Sequence, residues 1–307
     1  MSTEGSKKAI LAALAANAGI AAAKFVGFAI TGSSSMLAEA VHSVADTSNQ
    51  GLLLIGQRQA AKAATKLHPF GFGRSRYFYS FVVALVLFTL GSLFAIYEGI
   101  HKIEHPEDLD APVVALVILG VAIALESYSF ATAMRESRPL KGRASWWRFI
   151  RNSRNPELPV VLLEDTGALI GLVFALFGVG MTVITGDPVW DGVGTVAIGV
   201  LLGVIAVVLI VEMQSLLIGE GATETEEAHL LAALEQQGVQ RVIHMRTQYL
   251  GPDELLVAAK FAARPGATAI EIAETIDAAE ARIRDAVPAA RIIYLEPDID
   301  RAGAAAT

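Results

Sequence analysis

The sequence predicts an α-helical membrane protein, with six transmembrane helices followed by a small cytoplasmic α+β domain of αββαβ order, ferredoxin-like in layout. Of 307 residues, 53% are hydrophobic and only 18% charged, a balance too apolar for a chain whose main solvent is water. Several apolar runs approach or exceed the roughly 20 residues that cross about 30 Å of hydrocarbon at 1.5 Å per residue. Beyond residue 218 these runs give way to shorter alternating patterns, which divides the chain into a six-helix membrane part, 1–218, and a tail, 219–307.

The six spans are expected near Ile10 to Thr31, Ser34 to Leu54, Phe78 to Gly99, Pro112 to Met134, Val160 to Ile184 and Val189 to Ile218. The second is the least hydrophobic. Lys7 and Lys8 before an Ala-rich run resemble the start of a signal peptide, but the run is longer than a secretory core and lacks a cleavage site, so it is read as the first span. Lys and Arg concentrate in alternate loops: Lys7 and Lys8, then Arg58 to Arg76, then Arg135 to Arg154. The other loops, HKIEHPEDLD and TGDPVWD, are mostly acidic. Positive charge stays on the cytoplasmic side, so both termini are expected there, in a bacterial plasma membrane.

In the tail, TETEEAHLLAALEQQ reads as a helix whose acidic first turn complements its dipole. RVIHMRTQYL and ELLVAAKFAA read as strands joined at Gly251 and Pro252, then a helix from Thr268 to Ala286 and a last strand at RIIYLE. Such an order builds a small antiparallel sheet backed by two helices. The absence of cysteine excludes disulfides and thiolate metal sites.

Within the second span, LAEAVHSVADTSNQ places Ser35, Glu39, His42, Asp46 and Asn49 at helical spacing on one face. His42 and Asp46 are one turn apart, so an imidazole nitrogen and a carboxylate oxygen can converge on one point, half of a four-coordinate site. Ser35 and Asn49 fit the plainer role of joining helices by hydrogen bonds. A carboxylate near mid-bilayer is costly unless paired, protonated or metal-bound, which marks Asp46 for an ion pathway. Glu39, nearer the outer end, is expected to meet water.

VVLLEDTGALIG in the fifth span sets Glu164 beside Asp165; adjacent helical residues point about 100° apart, so only one can aim at the second span. Glu126, Glu98, Asn17 and Lys24 are the other polar groups in the spans, and Lys24 can either neutralise a carboxylate or snorkel to an interface.

Together SSSMLAEAVHSVADTSNQ, HPFGFGRSRYFYSF and the αββαβ tail resemble the cation diffusion facilitators over nearly the whole chain. The resemblance implies proton-coupled export of zinc or a related divalent metal, a homodimer, and ligands from the second and fifth spans at His42, Asp46 and Asp165. The fourth position falls on Val161, which cannot bind metal. Glu164, water or Glu126 are left to complete the sphere, and an oxygen-richer site leans toward harder ions such as manganese. The LLED form of the fifth span keeps zinc as the first choice, with manganese, iron or cobalt as alternatives.

His68 matches a histidine of an auxiliary site, but Phe72 replaces its later partner, so that site is expected to be incomplete. RPLKGRASWWRFIRNSR, with Trp146, Trp147, Phe149 and Ile150 among arginines, is expected on an anionic membrane surface. Nucleic-acid binding is rejected for a loop tethered between spans in a chain of net charge −7. In the tail, His229, His244, Glu296 and Asp298 are candidates for regulatory metal, though dimerisation is the firmer expectation; His101 and His105 lie on the outer face.

The implied cycle is alternating access. Metal displaces protons, because only unprotonated groups ligate, and imidazole titrates near neutral pH. No prosthetic group is implied. An intramembrane metalloenzyme lacks an HExxH pair, and a receptor or scaffold would leave the stripe unexplained.

Overall fold

The computed structural model describes residues 18–236 and 238–299; Lys7, Lys8, Asn17 and residues 10–17 of the first expected span lie outside the described residues. Two compact units are present, one of residues up to Gln57 with Phe78–Met213, the other of Arg58–Tyr77 with residues from Gln214 onward.

The first unit is helical. It contains α1 (Ala18–Thr31), α2 (Ser34–Ala60) and a 30-residue helix, Ser75–Glu104, made of α3 (Ser75–Val86), a π-helical stretch (Leu87–Leu93) and α4 (Phe94–Glu104). These are followed by α5 (Pro112–Lys141), α6 (Trp146–Asn152), α7 (Glu157–Thr185) and α8 (Val189–Ile218). Among the described residues, Ser75–Glu104, Pro112–Arg135, Glu157–Thr185 and Val189–Ile218 are long and apolar enough to cross a membrane. The α1 helix is apolar but shorter, and α2 is 27 residues long with a polar face that lowers its hydropathy.

The boundaries follow local chemistry. Pro112 opens α5, where its missing N–H costs no hydrogen bond, and Gly186 closes α7 at φ 72°, a left-handed conformation that suits glycine. Ser145 caps α6 by accepting from the Arg148 N–H. Close packing rests on glycine: a Cβ at Gly194 would lie 2.8 Å from the Phe174 carbonyl, and one at Gly178 2.9 Å from the Trp190 carbonyl, so α7 and α8 meet backbone to backbone. Gly199 likewise admits Ile96 of α4, whose backbone nitrogen would lie 2.7 Å from an added Cβ.

The start of α2 is held by α8. Asp191, fully buried, accepts from Ser33 Oγ (2.9 Å), from the Ser34 N–H (2.8 Å) and Oγ (3.1 Å), and from the Ser35 N–H (3.4 Å). A carboxylate here satisfies the free amides of the first turn and complements the helix dipole. Ser35 Oγ adds a bond to the Asp191 carbonyl at 3.0 Å, so Ser35 joins helices as expected.

The second unit has the expected order: α9 (Glu224–Leu234), β1 (Val239–Gly251), β2 (Glu254–Ala263), α10 (Ala269–Ala286) and β3 (Ala290–Asp298). Its sheet corrects the antiparallel expectation. Strand order is β1-β2-β3, with β1 antiparallel to β2 but β3 parallel to β2. The β1–β2 connection is a tight turn, whereas β3 is reached through the crossover helix α10, which returns the chain in the same direction. Alternate residues of β2, among them Leu255, Val257 and Ala259, are buried with Leu230 and Leu234 of α9 and Ile283 of α10. Both helices begin with capping boxes, Thr223 with Glu226 and Thr268 with Glu271. The loop residue Gly73 lies against the hairpin, where an added Cβ would come 2.7 Å from the Leu250 carbonyl, and Arg76 pairs with Asp253 at 3.0 Å.

Candidate metal site

On α2 the polar stripe faces the interior of the helical unit: Ser35, Glu39, His42 and Asn49 are buried and Asp46 is half-buried. His42 Nε2 lies 3.5 Å from Asp46 Oδ2, in the same helix turn but beyond a good hydrogen bond. Both imidazole nitrogens and Asp46 Oδ1 are buried without a hydrogen-bond partner.

Glu39 departs from expectation, since it meets no water. Its carboxylate is 0% exposed and pairs through Oε2 with Lys24 Nζ of α1 at 3.0 Å, while the same ammonium donates to Ser43 Oγ at 2.8 Å. Lys24 neutralises rather than snorkels, because α1 carries it to the polar face of α2. Removing one partner of a buried pair generally costs about 3–5 kcal/mol, so the two side chains depend on each other.

On α7 the adjacent acids diverge. Glu164 reaches α2, its Oε1 accepting from Asn49 Nδ2 at 2.6 Å; Asp165 turns to α5, its Oδ2 accepting from Ser129 Oγ at 3.3 Å. Between α2, α5 and α7 lies a cavity of about 30 Å³, lined by the carboxylates of Asp46, Glu126, Glu164 and Asp165 together with Ser43, Gln50 and Ser129. That is about one water's share of liquid volume, the scale of a single small ion. His42 is not among the lining residues. Among the described residues, no three His, Asp or Glu side chains gather closely enough to hold one ion. The expected residues His42, Asp46, Glu164 and Asp165 therefore share a neighbourhood without forming a chelate in this conformation.

Val161 also borders the cavity, and it packs with Phe130 against a cluster of Ala133, Phe149 and Leu162. In the Trp- and Arg-rich segment, Phe149 and Trp146 of α6 turn inward against α5 and α7, and Trp147 is exposed. Arg151 pairs with Glu212 of α8 at 3.1 Å.

The other histidines are more peripheral. His68 is exposed and its ring lies 4.5 Å from that of Phe72, the residue that takes the expected partner's place. His101 and His105 are exposed and stacked at 4.8 Å, and His229 and His244 are exposed. His244 opposes Lys260 across β1 and β2, and Lys260 Nζ binds Glu296 at 2.8 Å and Asp298 at 3.3 Å. Hydrogen bonds to Glu296 and then Asp298 hold the Lys260 ammonium above its usual pKa, so an ammonium stands where a regulatory metal was a candidate.

Sequence reasoning missed Asp191, which it left among outer-loop acids, and the capture of Glu39 by Lys24. A signal for the first was present in three consecutive serines, donors in need of a fixed acceptor. The pairing of α1 with α2 had no local signal.

A family model described as the cation efflux transmembrane domain matches residues 10–218. Relatives include the mouse protein named proton-coupled zinc antiporter SLC30A9, mitochondrial, 33% identical over 244 residues, which is 78% of this chain and 43% of that protein. The Arabidopsis thaliana metal tolerance protein C4 is 29% identical over 252 residues, 80% of this chain and 55% of that protein. Magnetosome protein MamM of Magnetospirillum gryphiswaldense is 28% identical over 240 residues, 75% of this chain and 68% of that protein. The chain spans less than half the length of the antiporter relatives.

Proposed function

Since the chain belongs to the cation efflux family, a family of membrane cation transporters, we propose that it exports a divalent metal, zinc first, in exchange for protons. The observation that carries this reading is the small cavity between α2, α5 and α7, which Asp46, Glu126, Glu164 and Asp165 line inside the helical unit without gathering into a chelate in this conformation. The names of two relatives, a proton-coupled zinc antiporter and a metal tolerance protein, support the same substrate class.

In this reading the cytoplasm-open state brings His42 against Asp46, Asp165 and Glu164 around the ion, and the outward-open state releases it as protons rebind. Glu164 already touches α2 through Asn49. Six spans cross the membrane of a bacterial cell, α1 and α2 among them, with both termini cytoplasmic. The basic Arg58–Tyr77 loop and the C-terminal residues belong to one unit, which supports a shared side. The protein works as a homodimer, with residues 219–307 as its dimerising tail.

A second reading, manganese, iron or cobalt export, is favoured by one observation: the cavity's polar wall is mostly oxygen, with His42 outside it. Flux of zinc, manganese, iron and cobalt into inside-out vesicles, compared between the native chain and Asp46→Ala, tests both. Zinc flux that vanishes in the variant is expected; equal flux from both would remove the assigned site.

A further inference from the structure

Resting on the transport reading above, we infer that Lys24 is a tethered cation that stands in for the transported ion at Glu39, which makes Glu39 a transit ligand between the cavity and the outer end of α2. Glu39 lies one helical turn before His42 on the same face, and His42 lies one turn before Asp46. The stripe is thus a ladder of ligating groups with Asp46 in the cavity at its lower rung.

Two observations at the upper rung point to a cation passing there. Glu39 Oε1 is buried without a hydrogen-bond partner, so the carboxylate keeps one oxygen free while Oε2 holds Lys24 at 3.0 Å. Both nitrogens of His42, 1% exposed, are likewise unpartnered. On the facing helix there is a glycine, Gly171, and a Cβ added there would lie 2.9 Å from Glu39 Oε1. The free oxygen therefore packs against the α7 backbone, where glycine spares it a clash. Buried ligands without partners are expensive to keep, and their retention next to an oxygen-lined cavity fits an ion that visits rather than one that stays.

Lys24 explains how the rung can exist without trapping the ion. Its ammonium is donated to Glu39 and to Ser43, and Ser43 also lines the cavity, so the positive charge bridges the two levels. An incoming divalent cation at Asp46 repels that ammonium. As the ammonium swings away, Glu39 becomes free to accept the ion, and its return expels the ion outward.

The test uses the purified full-length chain, native and as Lys24→Met, Lys24→Arg, Glu39→Gln and the double variant Lys24→Met/Glu39→Gln, in proteoliposomes and by calorimetric zinc titration. Lys24→Met should bind zinc about ten-fold tighter and lower both KM and kcat about ten-fold, because nothing dislodges the ion from Glu39. The double variant should lose the added affinity and return KM to near native, while its kcat stays below native because the transit ligand is gone, and Lys24→Arg should stay near native in KM. A double variant whose KM stays as low as that of Lys24→Met, or a Lys24→Met chain with native KM and kcat, would overturn the inference. If the native chain carries no metal at all, the transport reading fails separately. The zinc titration still decides this one: no gain of affinity in Lys24→Met, or a gain that survives Glu39→Gln in the double variant, overturns it.

Discussion

At the scale of single residues, the site is defined by which carboxylate faces which helix. Glu164 bonds to Asn49 of α2 while Asp165 bonds to Ser129 of α5, so these neighbours do different work although the sequence sets them side by side. Asp165→Ala should abolish metal flux in proteoliposomes while leaving the chain folded and its oligomeric state unchanged; native flux would exclude Asp165 as a ligand. Val161→His places an imidazole at the cavity edge and should tighten zinc binding by about ten-fold in calorimetry, provided the ring can displace the packing with Leu162 and Phe149. Unchanged affinity would assign the remaining coordination to Glu126 or Glu164. The stripe from Ser35 to Asn49 was legible in the sequence because helical periodicity alone aligns it. Glu39's partner was not, since Lys24 lies 15 residues away on another helix and only packing decides whether a lysine stem folds inward or reaches an interface.

At the scale of elements, the four helices long and apolar enough to cross a membrane were legible to within several residues, because apolar length is a strong constraint. The sixth expected span agrees at both ends, Val189–Ile218, while the second runs on from Leu54 to Ala60 since helical propensity outlasts the apolar run. What pattern could not give is how closely helices approach. The α7–α8 crossing depends on Gly178 and Gly194, and Gly194→Leu should destabilise the helical unit by several kcal/mol, on the order of an overpacked core or more, visible as a lower Tm in detergent. In the tail, the order of strands and helices was legible but the direction of β3 was not, because a crossover helix and a hairpin leave similar local signals. The first turn of α10 offers a pH test. The Thr268 backbone N–H and then its hydroxyl hold the Glu271 carboxyl below the usual carboxylate range. That contribution is present above the unfolded value of about 4.3 and is lost as pH falls through the lower folded value. Protection from hydrogen exchange at the start of α10 should therefore fall as the pH drops below the usual carboxylate range, and Glu271→Gln should remove the dependence.

At the scale of the whole molecule, the helical unit and the mixed-sheet unit were foreseen as kinds of structure, and the partition of the Arg58–Tyr77 loop was not. The loop reads as a basic connection between spans, and only Gly73 against Leu250 and Arg76 against Asp253 reveal that it is part of the other unit. An outward-acid pH gradient imposed on inside-out vesicles, with the interior acid, should accelerate metal uptake if protons return as metal leaves; a rate indifferent to the gradient would count against exchange. The grip of Asp191 on the first turn of α2 sets a mechanical condition on any such cycle. Four bonds to one carboxylate, from Ser33, Ser34 and Ser35, splice the outer end of α2 to α8, so these two helices pivot as a single lever. In a chain free of native cysteine, spin labels near positions 33 and 191 should hold one fixed separation with and without metal, and a separation that changes on adding metal would show the two helices moving apart.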